Sequence, residues 1–228
     1  VQDTFAYQNG AYTRWLFNTI MYAAVAGVGA TIIATFAGYA IATMRFPGRN
    51  ALLAVTLAFM SIPSTVITVP LFLMYSKIGL VGTPWAVIIP QLATPFGLYL
   101  MIIYAQTSIP VSLIEAAKLD GASTWTIFWK VGFPLLSPGF VTVLLFTLVG
   151  VWNNYFLPLI MLSDTNDYPL TVGLNMWLKM GAQGTANGQV PNNLIITGSL
   201  IAVVPLIIAF MFLQKYWQSG LAAGSVKQ

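Results

Sequence analysis

The chain has 228 residues, of which 58% are hydrophobic and only 6% are charged, with a net charge of +4. A soluble domain normally carries about 25% charged residues, so this composition excludes a soluble globular protein and requires a lipid environment. His and Cys are both missing from the sequence, which removes the usual metal ligands, the imidazole base and thiolate chemistry. The positive charges form no basic block with interleaved aromatic residues, so nucleic acid is not an expected partner.

Five charge-free intervals are each longer than the roughly 20 residues that a helix needs to cross the hydrocarbon core. Because these runs lack the strict alternation of transmembrane strands, the sequence predicts an all-α polytopic membrane protein. The predicted spans cover residues 16–44, 51–75, 84–106, 138–162 and 193–214. They form a single transmembrane domain over residues 1–228, with loops at 107–137 on one side and 163–192 on the other.

Lys and Arg are distributed unevenly between the two sides of the predicted membrane, and such residues favour the cytoplasm. One side holds Arg45, Arg49, Lys118, Lys130, Lys215 and Lys227, and the other holds Arg14, Lys77 and Lys179. We therefore expect the 107–137 loop and the C-terminus to be cytoplasmic and the N-terminus to lie outside. Because an external N-terminus is unusual for a chain that opens on a polar segment without a cleavable signal, we expect that at least one preceding span is missing from it.

The first span carries small residues four positions apart, as in Ala23-xxx-Gly27, Ala34-xxx-Gly38 and Gly38-xxx-Ala42. This spacing lets helices approach closely in lipid, and we favour packing within this chain over contact with a second subunit. Prolines occur in the later spans, where each permits a kink if neighbours satisfy the freed carbonyl. They are Pro63, Pro70, Pro90, Pro95, Pro158 and Pro205. The prolines suggest spans that bend around a pathway.

The longest polar interruption between two apolar regions covers residues 115–139. A helix is predicted to begin just before this interruption and to continue into it, because Pro110 suits a first helical turn. Ser112 and Glu115 have the spacing of a capping box, with Ser108 as the alternative cap. We expect this helix to be the first half of a cytoplasmic hairpin.

The first hairpin helix is predicted to end near Leu119, since Gly121 can take the left-handed conformation that a helix C-terminus requires. Ser123 is expected to cap a second helix, which Pro134 and Pro138 would end before the fourth span. That helix presents three aromatic residues at helical spacing, Trp125, Phe128 and Trp129. Folded about Asp120-Gly121, the two helices predict a compact hairpin on the membrane face.

We interpret this hairpin as a docking site for a partner protein. The small side chains of Ala116 and Ala117 would let the helix sit deep in a cleft, and Glu115 would meet a basic group there. Helix propensity alone is the other explanation for the two alanines. The outer segment 163–192 is equally consistent with a surface-lying stretch and with a receiver for an extracytoplasmic protein.

Polar groups at membrane depth are neutral, whereas all five acidic residues fall in predicted loops. Ion-coupled carriers usually place an ionisable group within the membrane, and the sequence has no P-loop motif. Such a transporter would take its energy from another subunit, and an intramembrane enzyme is poorly supported. Neutral amides and aromatic rings suit hydroxyl-rich ligands. The pathway candidates are Gln91, Trp152, Asn153, Asn154 and Tyr155, with interhelical hydrogen bonding as the alternative for each, as for Asn18 and Thr19.

The hairpin also resembles a known family. Glu115-Ala116-Ala117, Gly121 and Pro134 are similar to the EAA signature of the membrane subunits of ATP-binding-cassette (ABC) importers. The fuller pattern EAAKLDGAS…FPLLSPG, followed by VWNNYFLPL, resembles the MalG-like branch of the carbohydrate permeases in that family. The similarity continues at residues 46–49, 76–83 and 220–227, and so covers essentially the whole chain.

The resemblance implies a type I ABC-importer permease fold in the bacterial plasma (inner) membrane, with a sixth, N-terminal helix missing here. It implies that the chain hydrolyses nothing and binds no cofactor or metal, because a partner ATPase dimer uses ATP and Mg. A second permease subunit and an extracytoplasmic sugar-binding protein would complete the importer. The implied ATPase-coupling residues are Glu115, Ala116, Ala117, Leu119, Asp120 and Gly121. A same-architecture permease for a polyamine or amino acid, and a self-sufficient channel or carrier, remain the alternatives.

Overall fold

The computed structural model describes residues 2–182 and 190–225, and the side chains of these as far as residue 214. Within these residues the chain forms helices joined by short connections, without a β-strand. The helices are α1 (Gln2–Tyr22), α2 (Val28–Thr43), α3 (Arg49–Met60), α4 (Ser64–Lys77), α5 (Pro84–Gln91), α6 (Pro95–Ser108), α7 (Val111–Leu119), α8 (Thr124–Ile127), α9 (Phe133–Trp152), α10 (Phe156–Met161), α11 (Leu170–Ala182) and α12 (Asn192–Ser225). Two π-helical turns, Ala23–Gly27 and Phe128–Gly132, join α1 to α2 and α8 to α9.

The described part of the chain contains four helical stretches that are long and apolar enough to cross a membrane. They cover Gln2–Thr43, Pro84–Ser108, Thr124–Trp152 and Asn192–Gln214. Helices α3 and α4 pass the same test together, although they are bent by 103° at the break between them. Counting that bent pair as one span gives the five spans that the sequence predicts. Lys227 lies outside the described residues.

The helices differ from the predicted spans mainly where a predicted span is interrupted by non-helical residues. The 51–75 span is divided before Pro63, which cannot donate a backbone hydrogen bond and disfavours a helical conformation for the residue before it. The 84–106 span is interrupted at residues 92–94, where the Thr94 side chain accepts a hydrogen bond from the Gly97 N–H at 3.2 Å and starts α6 anew. These breaks agree with the kinks that the prolines suggest.

The first and fourth spans also differ from their predicted limits. Helix α1 begins at Gln2, but residues 7–10 leave the helical conformation, and Gln8 and Asn9 have positive φ angles of 49° and 55°. The predicted 138–162 span ends early, because α9 stops at Trp152 and α10 restarts only at Phe156. The chain therefore carries a helix break at residues 153–155, within the segment that holds most of the pathway candidates.

The described residues divide into two compact units. The first unit comprises residues 2–27, 63–91, 148–182 and 190–211, and the second comprises residues 28–62, 92–147 and 212–225. The core of the first unit is aromatic: the rings of Trp15 and Trp177 lie 4.9 Å apart, and the Tyr12 hydroxyl donates to the Gly198 carbonyl at 2.7 Å. Gly173 lets α11 approach this cluster, since a Cβ there would lie 2.2 Å from the Trp15 ring.

The core of the second unit forms where α2 packs on α6. Gly38 touches Met101 so closely that a Cβ on the glycine would lie 2.6 Å from the Met101 Cβ. Ala34 is buried in the same cluster, so the small residues at this spacing pack within the chain, as the sequence analysis favoured. The cluster extends to Phe128 and Leu136, which ties the second hairpin helix to this core.

Candidate functional site

The first helix of the hairpin, α7, begins without a side-chain cap. Pro110 occupies the N-cap position, and its side chain can accept no hydrogen bond. The predicted capping box of Ser112 and Glu115 is therefore wrong, because Ser112 is already the second residue of the helix. The alternative cap, Ser108, is also wrong, since it is the last residue of α6. The proline sets the start of α7 because its fixed φ angle matches the helix boundary.

The turn after α7 satisfies the last carbonyl groups of the helix in a Schellman motif. The Ala122 N–H donates to the Ala117 carbonyl, and the Gly121 N–H donates to the Lys118 carbonyl, both at 3.0 Å. Gly121 has a φ angle of +76°, so the left-handed glycine predicted at this position is confirmed. No described heavy atom lies within 4 Å of where its Cβ would stand, so the glycine is required by backbone conformation and not by space.

The second hairpin helix begins as predicted but does not end as predicted. The Ser123 side chain accepts a hydrogen bond from the Thr126 N–H at 3.2 Å, which confirms the cap. Pro134 and Pro138 fail to end the helix, which continues through the Phe128–Gly132 π-turn into α9. For Pro134 we attribute this to the π-turn, in which the Phe133 N–H bonds to the Phe128 carbonyl, because a widened turn accommodates a proline without a clash in the turn before it. For Pro138 the freed carbonyl is that of Pro134, and it accepts a hydrogen bond from the Ser137 hydroxyl at 2.8 Å instead.

Helix α7 has one face in the core and one face that no described residue covers. Ile114 is buried against the cluster that contains Ile127 and Phe128, whereas Glu115 and Ala116 are exposed. Leu119 is 89% exposed at the tip of the hairpin. Val111 and Leu113, in the first turn of α7, are also exposed. An apolar surface of this kind beside a charged side chain is typical of a protein-docking site.

The coupling candidates thus lie together on one hairpin. Glu115, Ala116, Leu119 and Asp120 are exposed, while Ala117 is half-buried because it packs against the core of the second unit. Ala122, which follows the Schellman turn, packs against the same core. A docked partner would therefore contact Ala116 more than Ala117.

The pathway candidates fall into two groups at the break between α9 and α10. Asn154 lies in the break, where its amide donates to the Gln91 side-chain carbonyl at 3.0 Å and its side-chain oxygen faces the Leu157 N–H at 3.4 Å. Trp152 is buried in the aromatic core, and the exposed Asn153 donates to the Val149 carbonyl of its own helix. The structure therefore brings Gln91 and Asn154 together, and it leaves Trp152 and Asn153 outside this contact.

Two further residues of α11 complete the cluster. The Thr171 hydroxyl donates to the backbone carbonyl of Asn154 at 2.8 Å, and the Tyr155 hydroxyl donates to the Asn175 side chain at 3.0 Å. The sequence analysis missed both α11 residues. Their spacing of four residues, which puts them on one helix face, is the signal that could have found them. We call Gln91, Asn154, Tyr155, Thr171 and Asn175 the polar cluster.

The polar cluster consists entirely of neutral donors and acceptors. All five side chains are only partly buried, so donor and acceptor capacity remains open for a ligand beyond the internal bonds. The described residues contain no group of three or more His, Cys, Asp or Glu that could hold a metal. The other deep polar residues serve the fold: Asn18 donates to the backbone carbonyls of Asn166 and Tyr168, and Thr19 accepts from the Leu170 N–H.

Apolar helices long enough to cross a membrane, an uncovered hairpin and a neutral cluster at a helix break define a membrane-spanning permease subunit. The chain belongs to the family of binding-protein-dependent transport system inner membrane components, whose model matches residues 27–222. It is therefore a multi-pass protein of the bacterial inner membrane and the permease subunit of a binding-protein-dependent importer.

Comparisons with individual proteins agree with this family. The chain is 32% identical to an arabinooligosaccharide transport system permease protein of Halalkalibacterium halodurans, over 99% of this chain and 79% of that protein. It superimposes with a TM-score of 0.77 on a bacterial ABC transporter involved in import of the acidic polysaccharide alginate, at 27% identity over 95% of this chain and 78% of the other. The methionine transporter MetNI shares the fold, with a TM-score of 0.67 and 21% identity over 91% of this chain and 95% of the other.

Proposed function

We propose that this chain forms one half of the translocation pathway of a carbohydrate importer and is driven by a separate ATPase. The observation that carries the proposal is the hairpin, on which Glu115 and Leu119 are exposed and which a Schellman turn closes after Leu119. The hairpin side faces the cytoplasm in this proposal, as does the C-terminus. ATP and Mg act on the ATPase dimer, and closing of that dimer moves the docked hairpins together.

Carbohydrate is the substrate class that the polar cluster fits best. Sugars offer many hydroxyl groups and no charge, so side-chain amides and a tyrosine hydroxyl can bind them without a counter-ion. The cluster residues Gln91, Asn154 and Asn175 have this chemistry. The arabinooligosaccharide permease relative supports the same class. A polyamine or a charged amino acid would require a charged partner, and the cluster has none.

The remaining partners follow from the same proposal. A second permease subunit supplies the other half of the pathway, most simply as a heterodimer. An extracytoplasmic sugar-binding protein delivers the substrate to the outer face, where part of the 163–192 segment lies among the described residues as α11. A self-sufficient channel or carrier is disfavoured, because it gives no role to apolar hairpin side chains that the described residues leave exposed.

The experiment that tests the proposal is purification of the tagged chain from its native membranes in mild detergent, followed by reconstitution of everything retained into liposomes. We expect a nucleotide-binding subunit and a second permease to accompany the chain. ATP and a sugar-loaded binding protein should then drive uptake of a labelled oligosaccharide, with no uptake of labelled methionine or spermidine. Sugar flux through the chain alone, without the ATPase, would refute the subunit assignment.

A further inference from the structure

Two tryptophans on the second hairpin helix keep much of their surface exposed. Trp125 is 61% exposed and Trp129 is 45% exposed. They lie one turn apart on the same face of the stretch that α8 and the π-turn form. Large apolar side chains left exposed side by side mark a surface that something other than the described residues covers.

Phe36 of α2 joins the two tryptophans in one patch. Its ring stacks on Trp125 with 5.6 Å between the ring centroids and 5° between the planes, and it meets Trp129 edge-on at 6.1 Å. The two indole rings also meet each other edge-on, at 5.8 Å. We call Phe36, Trp125 and Trp129 the aromatic patch. Because each ring contacts the other two, the patch has a fixed shape within this chain alone.

The contacts of the second hairpin helix place the aromatic patch beside α2 and not beyond its end. Phe36 lies about two helical turns before Thr43, the last residue of α2, which is about 10 Å along the helix axis. At the end of the π-turn, a Cβ on Gly132 would lie 2.7 Å from the Tyr39 ring. The second hairpin helix therefore crosses α2 at the level of Phe36 and Tyr39.

The neighbours of the aromatic patch along α2 indicate its depth in the membrane. On the side towards the middle of the span, Ile32 and Ile33 are 41% and 51% exposed, as expected of side chains that face acyl chains. On the other side, the first positive residues are Arg45 and Arg49, and such residues lie among the lipid headgroups or in water. The aromatic patch thus lies between acyl chains and headgroups, which is the depth at which Trp is enriched.

The chemistry of the aromatic patch matches the same depth. Indole rings are apolar and each carries one N–H donor, so they suit the upper ends of the acyl chains and the ester oxygens beside them. Lys130, which follows Trp129, is exposed and can extend its ammonium group to the lipid phosphates. Packing of the hairpin against α2 explains the ring contacts, but it does not explain why the two indoles remain exposed.

We propose that the aromatic patch is embedded in the lipid of the membrane interface and anchors the second hairpin helix there. The apolar surface of Ile32 and Ile33 continues into the patch, which favours lipid over a protein partner as its cover. Lipid contact, and not protein packing alone, then sets the height of the hairpin tip at Leu119 above the membrane. This inference depends neither on the substrate nor on the ATPase.

The test exploits the lack of Cys in this chain. Trp125→Cys and Trp129→Cys each provide one site for a nitroxide spin label, and the unmodified chain gives the background from other subunits. The chain is purified with its accompanying subunits and reconstituted into vesicles of phosphatidylethanolamine and phosphatidylglycerol. The collision rates of the label with oxygen, which concentrates in lipid, and with a water-soluble nickel chelate are then measured.

Both labels should collide more often with oxygen than with the chelate. Lys118→Cys, on the exposed side of α7, is the matched control, and its ratio of oxygen to chelate collisions should be several-fold lower. More frequent collisions with the chelate at positions 125 and 129 would place the patch in water and overturn the proposal. Low rates with both reagents would show that a second permease subunit or the ATPase covers the patch, which would also overturn it.

A second measurement leaves the aromatic packing in place. The Trp125→Phe/Trp129→Phe double variant keeps three rings in the patch, and the tryptophan fluorescence that it loses belongs to these two indoles. The same vesicles are prepared with lipids brominated near the headgroup end or near the methyl end of the acyl chain. The lost fluorescence should be quenched more strongly by bromine near the headgroup end, and a lost component that neither lipid quenches would contradict the proposal.

Discussion

Replacing Gly121 with Val tests whether the hairpin turn controls coupling. The φ angle of +76° lies in the left-handed region, where a non-glycine residue costs about 1–2 kcal/mol and a β-branched residue is a genuine outlier. No described atom lies within 4 Å of the added Cβ position, so the cost comes from the backbone and not from a clash. A cost of this size shifts the balance between the native turn and a relaxed turn by a factor of about 5–30.

The assay is ATP-driven uptake by reconstituted complexes, with the amount of membrane-inserted chain measured alongside. We expect uptake to fall by up to about 5- to 30-fold, the full factor applying where the native and relaxed turns are close in free energy, while insertion stays normal because the spans are untouched. Gly121→Asn should retain most activity, because Asn tolerates the left-handed conformation.

A second control separates strain from location. Gly79→Val places the same residue at a φ angle of +68° with no described atom within 4 Å of its Cβ position, in the turn after α4. That variant should carry similar strain and still transport normally. Uptake by the Gly121→Val complex at the unmodified rate, or an equal loss in Gly79→Val, would refute the reasoning.

Two further variants address the charge on the hairpin and the polar cluster. Glu115→Lys should reduce co-purification of the ATPase subunit about tenfold or more, whereas Glu115→Gln should have a smaller effect; undiminished co-purification of both would exclude a charge role. Asn154→Leu should lower sugar uptake with normal ATPase association, and should cost about 1–3 kcal/mol of stability because Gln91 loses its partner. Asn153→Leu is its matched control, since the Asn153 side chain donates to the Val149 carbonyl of α9 and takes no part in the polar cluster, and equal uptake by the two variants would argue against the cluster.

The hairpin turn could be predicted from the sequence because its determinants are local. Gly121 has one conformational property that few residues share, and Ser123 caps a helix three residues away, so both predictions needed no knowledge of the rest of the fold. The prolines were harder to interpret. Pro63 does break a span, whereas Pro134 and Pro138 lie within one. The difference depends on the π-turn before Pro134 and on the Ser137 hydroxyl that bonds to the carbonyl freed by Pro138, and composition gives no sign of the π-turn.

Only some residues of the polar cluster could be predicted from the sequence. Gln91 and Asn154 were candidates as neutral amides at membrane depth, but their contact joins positions 63 residues apart and follows from the packing of the helices. Trp152 was also a pathway candidate from the sequence, but it lies in the aromatic core. Thr171 belongs to a loop in the predicted topology, so only the helix α11 of the structure places it beside Asn154.

The Schellman turn also bears on the order in which the protein matures. Its two hydrogen bonds close over three and five residues, and the neighbouring Ser123 cap closes over three, so the turn can form as soon as this stretch leaves the ribosome. The bond from Asn154 to Gln91 must instead wait for distant helices to meet in the bilayer. We therefore expect the hairpin to form early in biogenesis, and the polar cluster to be among the last features assembled.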